Sequence, residues 1–272
     1  VTDPASMISP LILGIVEGLT EFLPVSSTGH LILAEKLLGY EGEQAGIVDV
    51  VIQVGAILAI CWLYRERLFK VAFGLFSDLG ARQFAINILI AFFPAVVVGA
   101  LAHDFIKHVL FSPLVVACSL IVGGVAIILI ERWIGSRAQA AEDTIEHLPP
   151  LTALKIGLCQ LLALIPGVSR SGATIMGAVS LGVNRKTAAE FSFFLAIPTM
   201  FGAAALDIYK GRNLINHDTI SAIAVGSVAA FIVAMFVVKW LVNFVGKHGF
   251  TVFGWYRIAI GLVTLGLLAM GR

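Results

Sequence analysis

Charge is what this sequence has least of. Of 272 residues only 13% are Asp, Glu, Lys or Arg, while 59% are hydrophobic. Soluble domains carry roughly 25% charged residues. A soluble fold of this length would lack the polar surface to cover itself, so lipid must cover much of the chain. A net charge of +1 gives no reason to expect a nucleic-acid partner. Cysteine is also scarce. Cys61, Cys118 and Cys159 lie in apolar stretches without CxxC spacing, the pattern of small buried apolar residues rather than of a metal or redox centre. Residues 1–6 lack the basic cluster that opens a signal peptide.

What is abundant is apolar sequence in long runs. A membrane-spanning helix needs about 20 mainly apolar residues, and residues 47–64, 84–102, 113–130, 188–206, 219–241 and 250–270 come near that length. Two further regions, 7–38 and 151–183, are apolar but too short and too broken to cross. In each, two half-length helices flank a bend rich in Pro, Gly and Ser, around residues 17–30 and 166–174. That is the pattern of a re-entrant hairpin, and irregular backbone at membrane depth is tolerated only where protein or a wet cavity surrounds it.

The two broken regions also match each other. A shift of 143 residues places Gly14 on Gly157, Leu19 on Leu162, Ser26 on Ser169, Gly29 on Gly172, Leu38 on Leu181 and Gly39 on Gly182, with Glu17 on Gln160. Each half, about 7–131 and 151–270, is then one hairpin plus three spans. Three is odd, so the second half is inverted relative to the first. The expected fold is a single all-α integral membrane domain over 1–272: six transmembrane helices plus two re-entrant helical hairpins in an inverted-topology repeat. Broken helices at matching positions of two inverted halves point to a binding site at the midplane.

Basic residues orient it. Arg65, Arg67, Lys70, Arg82, Arg132, Arg137, Lys155, Arg185, Lys186, Lys239, Lys247 and Arg257 fall toward the face reached after the first span. Lys36, Lys107, Lys210, Arg212 and Arg272 fall toward the other. The first face is therefore expected to be cytoplasmic. Both termini and the mouth of the first hairpin are expected outside.

The first bend carries Glu17 and Glu21, four residues apart on one helix face. Two carboxylates are costly there. A hard divalent cation, Mg²⁺ or Ca²⁺, with oxygen ligands from Glu17 and Glu21 would compensate them; solvation at the membrane edge is the plainer alternative. Ser26, Ser27, Thr28 and His30 crowd the next turn, where hydroxyls and backbone N–H groups before a helix can cradle an anion. His30 could be nucleophile or general acid/base, or a structural hydrogen-bonder. The second bend carries Ser169, Arg170, Ser171 and Thr174. Arg170 lies deep in an apolar region and needs a strong partner: a phosphate, whose oxygens its planar fork matches, or an ion pair with Glu17 or Glu21. Gln160 occupies the place of Glu17 and is expected to face substrate. Two glutamates, one arginine and a divalent ion would leave the site positive enough for a diphosphate. Asp49, Gln53, Glu190 and Asp207 read as caps or interface contacts. The Phe-rich stretch 191–194 reads as lipid-facing or packing surface. Small-residue patches such as Gly123-Gly124 permit close helix packing, and with it a homodimer.

The stretches EGLTEFLPVSSTGH, from Glu17 to His30, and PGVSRSGAT, from Pro166 to Thr174, resemble the two signature segments of the bacterial undecaprenyl-diphosphate phosphatases, the bacitracin-resistance family. The resemblance runs along nearly the whole chain. It implies hydrolysis of undecaprenyl diphosphate to undecaprenyl phosphate and inorganic phosphate, which recycles the lipid carrier for cell-wall synthesis. It also implies a divalent cation, residence in the bacterial inner membrane, and an active site facing the periplasm. By resemblance Glu17, Glu21, Ser27, His30, Ser169, Arg170 and Thr174 are the functional residues. The nucleophile is Ser27, His30 or a water on the metal; if Ser27 attacks, His30 is the expected base. The rival expectation is a polyprenyl-phosphate transporter or flippase, since inverted repeats with broken helices are also a transporter layout. Either way Arg170 and Glu21 must meet in space.

Overall fold

The computed structural model describes residues 7–40, 42–105, 112–134, 144–214 and 216–270. Lys107, His108, Arg137, Arg272 and the 1–6 segment lie outside the described residues. The described chain is all-α: α1 (Ile8–Thr20), α2 (Ser27–Leu38), α3 (Glu43–Leu63), α4 (Arg65–Gly74), α5 (Leu79–Phe105), α6 (Pro113–Ile134), α7 (Pro150–Gln160), α8 (Arg170–Ser180), α9 (Arg185–Lys210), α10 (His217–His248) and α11 (Thr251–Ala269). Six of these, α3, α5, α6, α9, α10 and α11, are long and apolar enough to cross a membrane. They correspond to the six expected spans and extend most of them at one or both ends. At 1.5 Å per residue, α1, α2, α7 and α8 each reach only about 16–20 Å, well short of the roughly 30 Å hydrocarbon core.

The bends are tighter than the sequence suggests. Helix α1 continues through Glu17 to Thr20, so the first bend is only 21–26, and α7 is prolonged by a 3-10 turn at Leu161–Leu164. Each bend ends on a serine with positive φ, Ser26 (71°) and Ser169 (75°). These are the only non-glycine residues of that kind among the described ones. Left-handed backbone is uncommon for a side chain bearing a Cβ and tends to gather at functional sites. The two serines are related by the 143-residue offset, as are Gly39 (φ 62°) and Gly182 (φ 92°), which follow α2 and α8.

Small residues let the short helices pack tightly. α1 lies against α10, and α7 against α5. A Cβ on Gly14 would overlap the Gly226 carbonyl, and one on Gly157, its offset partner, would overlap that of Ala91. Backbones approach this closely only where side chains are absent. α6 packs along α11 and α3 along α10. The Gly123-Gly124 patch lies in this α6–α11 contact, against Arg257 and Gly254. The Phe-rich stretch proves to be packing rather than lipid-facing: Phe191, Phe193 and Phe194 are buried, with Phe193 edge-on to Phe22 and Phe194 edge-on to Tyr64 and Phe84.

Ion pairs hold the basic face together. Arg67 reaches both Glu146 and Glu190 at 3.1 Å. Glu131 at the end of α6 takes Arg185 in a fork (2.6 and 3.0 Å) and also accepts the Phe250 N–H at 3.0 Å. Removing one partner of a buried pair costs about 3–5 kcal/mol. Glu131→Ala is therefore expected to lower the detergent melting temperature clearly, whereas an exposed change such as Lys186→Ala should leave it unmoved. α4, not anticipated from sequence, presents Phe69, Phe73 and neighbouring cations outward, the composition of a helix lying in a membrane interface.

Candidate active site

The two bends meet. Ser171 Oγ of the second donates to the Leu23 carbonyl of the first at 2.7 Å, and Arg170 NH2 contacts Glu21 Oε1 at 3.1 Å. The other Glu21 oxygen, Oε2, accepts the Ser27 hydroxyl at 2.5 Å. One carboxylate thus joins the arginine of one bend to the first helical hydroxyl after the other. All three groups are buried or nearly so.

Arg170 is held on three sides. Its NH1 donates to the Ser192 carbonyl (2.8 Å) and hydroxyl (3.2 Å), its NH2 also lies 3.7 Å from Met200 Sδ, and its guanidinium lies over the Phe22 ring. Thr174 Oγ1 sits 2.7 Å from Ser192 Oγ and donates back to the Arg170 carbonyl. Ser169 caps α8 by accepting the Gly172 N–H at 3.0 Å and lies 3.0 Å from Ser171 Oγ. These contacts bring Glu21, Ser27, Ser169, Arg170, Ser171 and Thr174 into one network. Thr28, in the first turn of α2, is half-buried; Ser26 is buried and offers its carbonyl to His30 Nδ1 at 2.7 Å.

His30 does not join Ser27. Its Nδ1 faces the Ser26 carbonyl and its Nε2 lies 2.8 Å from Tyr256 Oη. Both ring nitrogens are engaged elsewhere, and the Ser27 hydroxyl donates to Glu21 instead. The expected Ser27–His30 pairing is replaced for a local reason: in α2 the imidazole turns back along the helix to its own i−4 carbonyl.

Some buried polar atoms here have no partner. Both Glu17 carboxylate oxygens, both side-chain polar atoms of Gln160 and the Nε of Arg170 are shut from solvent without a hydrogen bond. Such atoms are costly unless satisfied. A bare carboxylate beside Glu21 wants a cation, and a bare guanidinium N–H wants an anionic oxygen. Both Glu21 oxygens already have a partner, so Glu17 is the freer of the two to hold a cation. Among the described residues no cluster of three or more His, Cys, Asp or Glu gathers at one point.

One residue that organises the site reads, in sequence, as a surface cation. Arg257 on α11 is buried, and its five N–H groups go to five carbonyls: Leu120 (3.3 Å) and Ser119 (3.1 Å) of α6, Pro24 (3.1 Å) of the first bend, and Gly167 (2.9 Å) and Val168 (2.8 Å) of the second. A guanidinium has five such donors, and here all are used. Its signal in the sequence is an arginine inside a span, which marks function or a strong partner. Ser192, hidden in the Phe-rich stretch, is the other unanticipated member. A large apolar cavity of about 710 Å³ lies beside the second bend, lined by Cys118 and Ala126 of α6, Cys159 of α7, Val168, Ala173 of α8 and Arg257. The three thiols are unpaired, and Cys118 is exposed rather than buried.

A family model described as bacitracin resistance protein BacA matches residues 10–263. The undecaprenyl-diphosphatase of Parvibaculum lavamentivorans is 54% identical over 263 residues, 97% of each chain. Undecaprenyl-diphosphatase 2 of Paramagnetospirillum magneticum is 51% identical over 97% of this chain and 100% of the relative. The undecaprenyl-diphosphatase of Acinetobacter baumannii is 52% identical over 95% of this chain and 94% of the relative.

Proposed function

The chain belongs to the bacitracin resistance protein BacA family, and on that premise we propose how it hydrolyses undecaprenyl diphosphate to undecaprenyl phosphate and inorganic phosphate. The observation that carries the site assignment is the Arg170–Glu21–Ser27 chain across the two bends.

The steps follow from where each group points. The N-termini of α2 and α8 and the free Arg170 Nε–H receive the diphosphate. Ser27 Oγ attacks the terminal phosphorus while Glu21 takes its proton. The bond from that phosphorus to the bridging oxygen breaks, Glu21 hands the proton to that oxygen, and undecaprenyl phosphate leaves. Water then attacks the phosphoserine, giving a proton to Glu21. The Ser27 Oγ–P bond breaks, Glu21 reprotonates Ser27, and phosphate departs. Arg170, steadied by Ser192 and Thr174, faces the charge that builds on the transferring group.

The donor set fits a hard divalent cation, because Glu17 brings two unpartnered oxygens and Gln160 a carbonyl. Glu17, with Glu21 at its edge, would hold Mg²⁺ or Ca²⁺. The ion would neutralise phosphate charge when bound.

The four short helices are the arms of two re-entrant hairpins in inverted halves. Supporting this are their length, the shared backbone geometry at the 143-residue offset, and the α1–α10 packing echoed by α7–α5. The basic face is cytoplasmic and the site opens to the periplasm, by the distribution of Lys and Arg.

Protein purified in detergent should release phosphate from undecaprenyl diphosphate, lose that activity to a chelator and regain it on adding Mg²⁺ or Ca²⁺. Ser27→Ala should cut the rate at least about 1,000-fold. Phosphate release by Ser27→Ala at the wild-type rate would reject the assignment, and a lipid transporter would release none even as wild type.

A further inference from the structure

His30 sits between two partners of different character. On one side is the Ser26 carbonyl, which can only accept, so the Nδ1 at 2.7 Å carries a proton. On the other is Tyr256 Oη, 2.8 Å from Nε2. In a neutral imidazole only one nitrogen bears hydrogen. With Nδ1 protonated, Nε2 is the bare nitrogen, and the tyrosine hydroxyl must be its donor. The two rings are also parallel, within 2° of each other at a centroid separation of 5.6 Å. One residue therefore fixes both the tautomer and the ring plane of His30.

Tyr256 is itself held. It precedes Arg257 on α11, and Arg257 is bonded to the Pro24 carbonyl just upstream of Ser26. The same turn of α11 thus grips the first bend through the arginine and the imidazole after it through the tyrosine. The N–H groups of the neighbouring Arg257 are already committed to carbonyls. Tyr256 is half exposed. The Ser26 side of the imidazole is closed.

We propose that Tyr256 is a positioning residue for His30: its hydroxyl donates to Nε2, holds the imidazole in the Nδ1–H tautomer and fixes the ring in the same turn of α2 that carries Ser27. This rests on the phosphatase reading of the site. Without the hydroxyl, the ring keeps its bond to Ser26 but loses what orients Nε2. Turnover then falls, while diphosphate binding, which belongs to Arg170 and the two helix N-termini, does not.

The test uses the full chain in detergent micelles with isotope-labelled histidine, the His30 signals being identified by their loss in His30→Asn. Wild type should show His30 as the neutral Nδ1–H tautomer. Tyr256→Phe keeps the ring and removes the hydroxyl. It should alter that tautomer signature and lower kcat roughly tenfold, the scale of one lost hydrogen bond, with KM within about twofold. The inference is overturned if wild-type His30 is the Nε2–H tautomer, a result that needs no variant to fold. It is also overturned if Tyr256→Phe leaves either the signature or kcat unchanged, or if KM rises instead. Should wild type release no phosphate at all, the phosphatase reading fails while the tautomer assignment is judged separately by the spectrum.

Discussion

Arg170→Ala is expected to reduce phosphate release by about 1,000-fold or more in protein that still folds. Two losses combine. The transferring phosphoryl group loses its guanidinium donor, a type of loss that costs about 100-fold to 1,000-fold alone. Glu21, buried on the first bend, also loses its cation at 3.1 Å, which disturbs the group that takes the Ser27 proton. Arg170→Lys should recover little, because one ammonium cannot reach Ser192, Glu21 and a phosphate oxygen together. Glu21→Ala should be as damaging, since it removes the acceptor of Ser27. The check is steady-state phosphate release, with melting temperature measured beside it to separate chemistry from unfolding. Near-normal turnover in Arg170→Ala would mean the two bends meet without forming a site.

Arg257→Met should produce the largest loss of stability. The substitution keeps much of the apolar stem but strips hydrogen bonds from five carbonyls, of which Pro24, Gly167 and Val168 lie in the bends outside any helix. Each stranded group costs on the order of 1–3 kcal/mol. Together they should lower the detergent melting temperature by roughly 10 °C or more, and activity should vanish with the geometry of the bends. Arg257→Lys has three donors and should recover only part of it. An Arg257→Met variant that melts and turns over like wild type would show that the bends hold their shape without it. Because Arg257 contacts both bends and α6, the stability and activity losses should appear together, unlike those of Arg170→Ala.

These two arginines also show what the sequence makes legible. The six spans and two broken segments follow from length and hydropathy, which lipid imposes directly. Ser26 and Ser169, and Glu17 with Gln160, stand out through the 143-residue offset. Arg170 announces itself because no acid lies near it in the chain, so its partner had to come from elsewhere. Arg257 is harder: its partners are backbone carbonyls, which leave no mark in a sequence, so it reads as one more cation of one face. Ser192 is hidden for a related reason, since a serine among phenylalanines looks like filler until Arg170 is seen to reach its carbonyl. His30 was legible as a site residue but not in its pairing. A turn rich in hydroxyls offers several partners, and the chosen ones, its own i−4 carbonyl and a tyrosine 226 residues away, depend on how α2 and α11 pack. α4 escaped because its apolar run is too short and too charged to stand out beside the spans.

The central claim is that Ser27, relieved of its proton by Glu21, attacks the phosphorus that Arg170 faces. The most direct test is to mix enzyme with undecaprenyl diphosphate labelled in its terminal phosphate, quench within one turnover, and locate the label by mass spectrometry of the digested chain. The account predicts phosphoserine at Ser27, absent from Ser27→Ala; a phosphoryl group on His30 would contradict it.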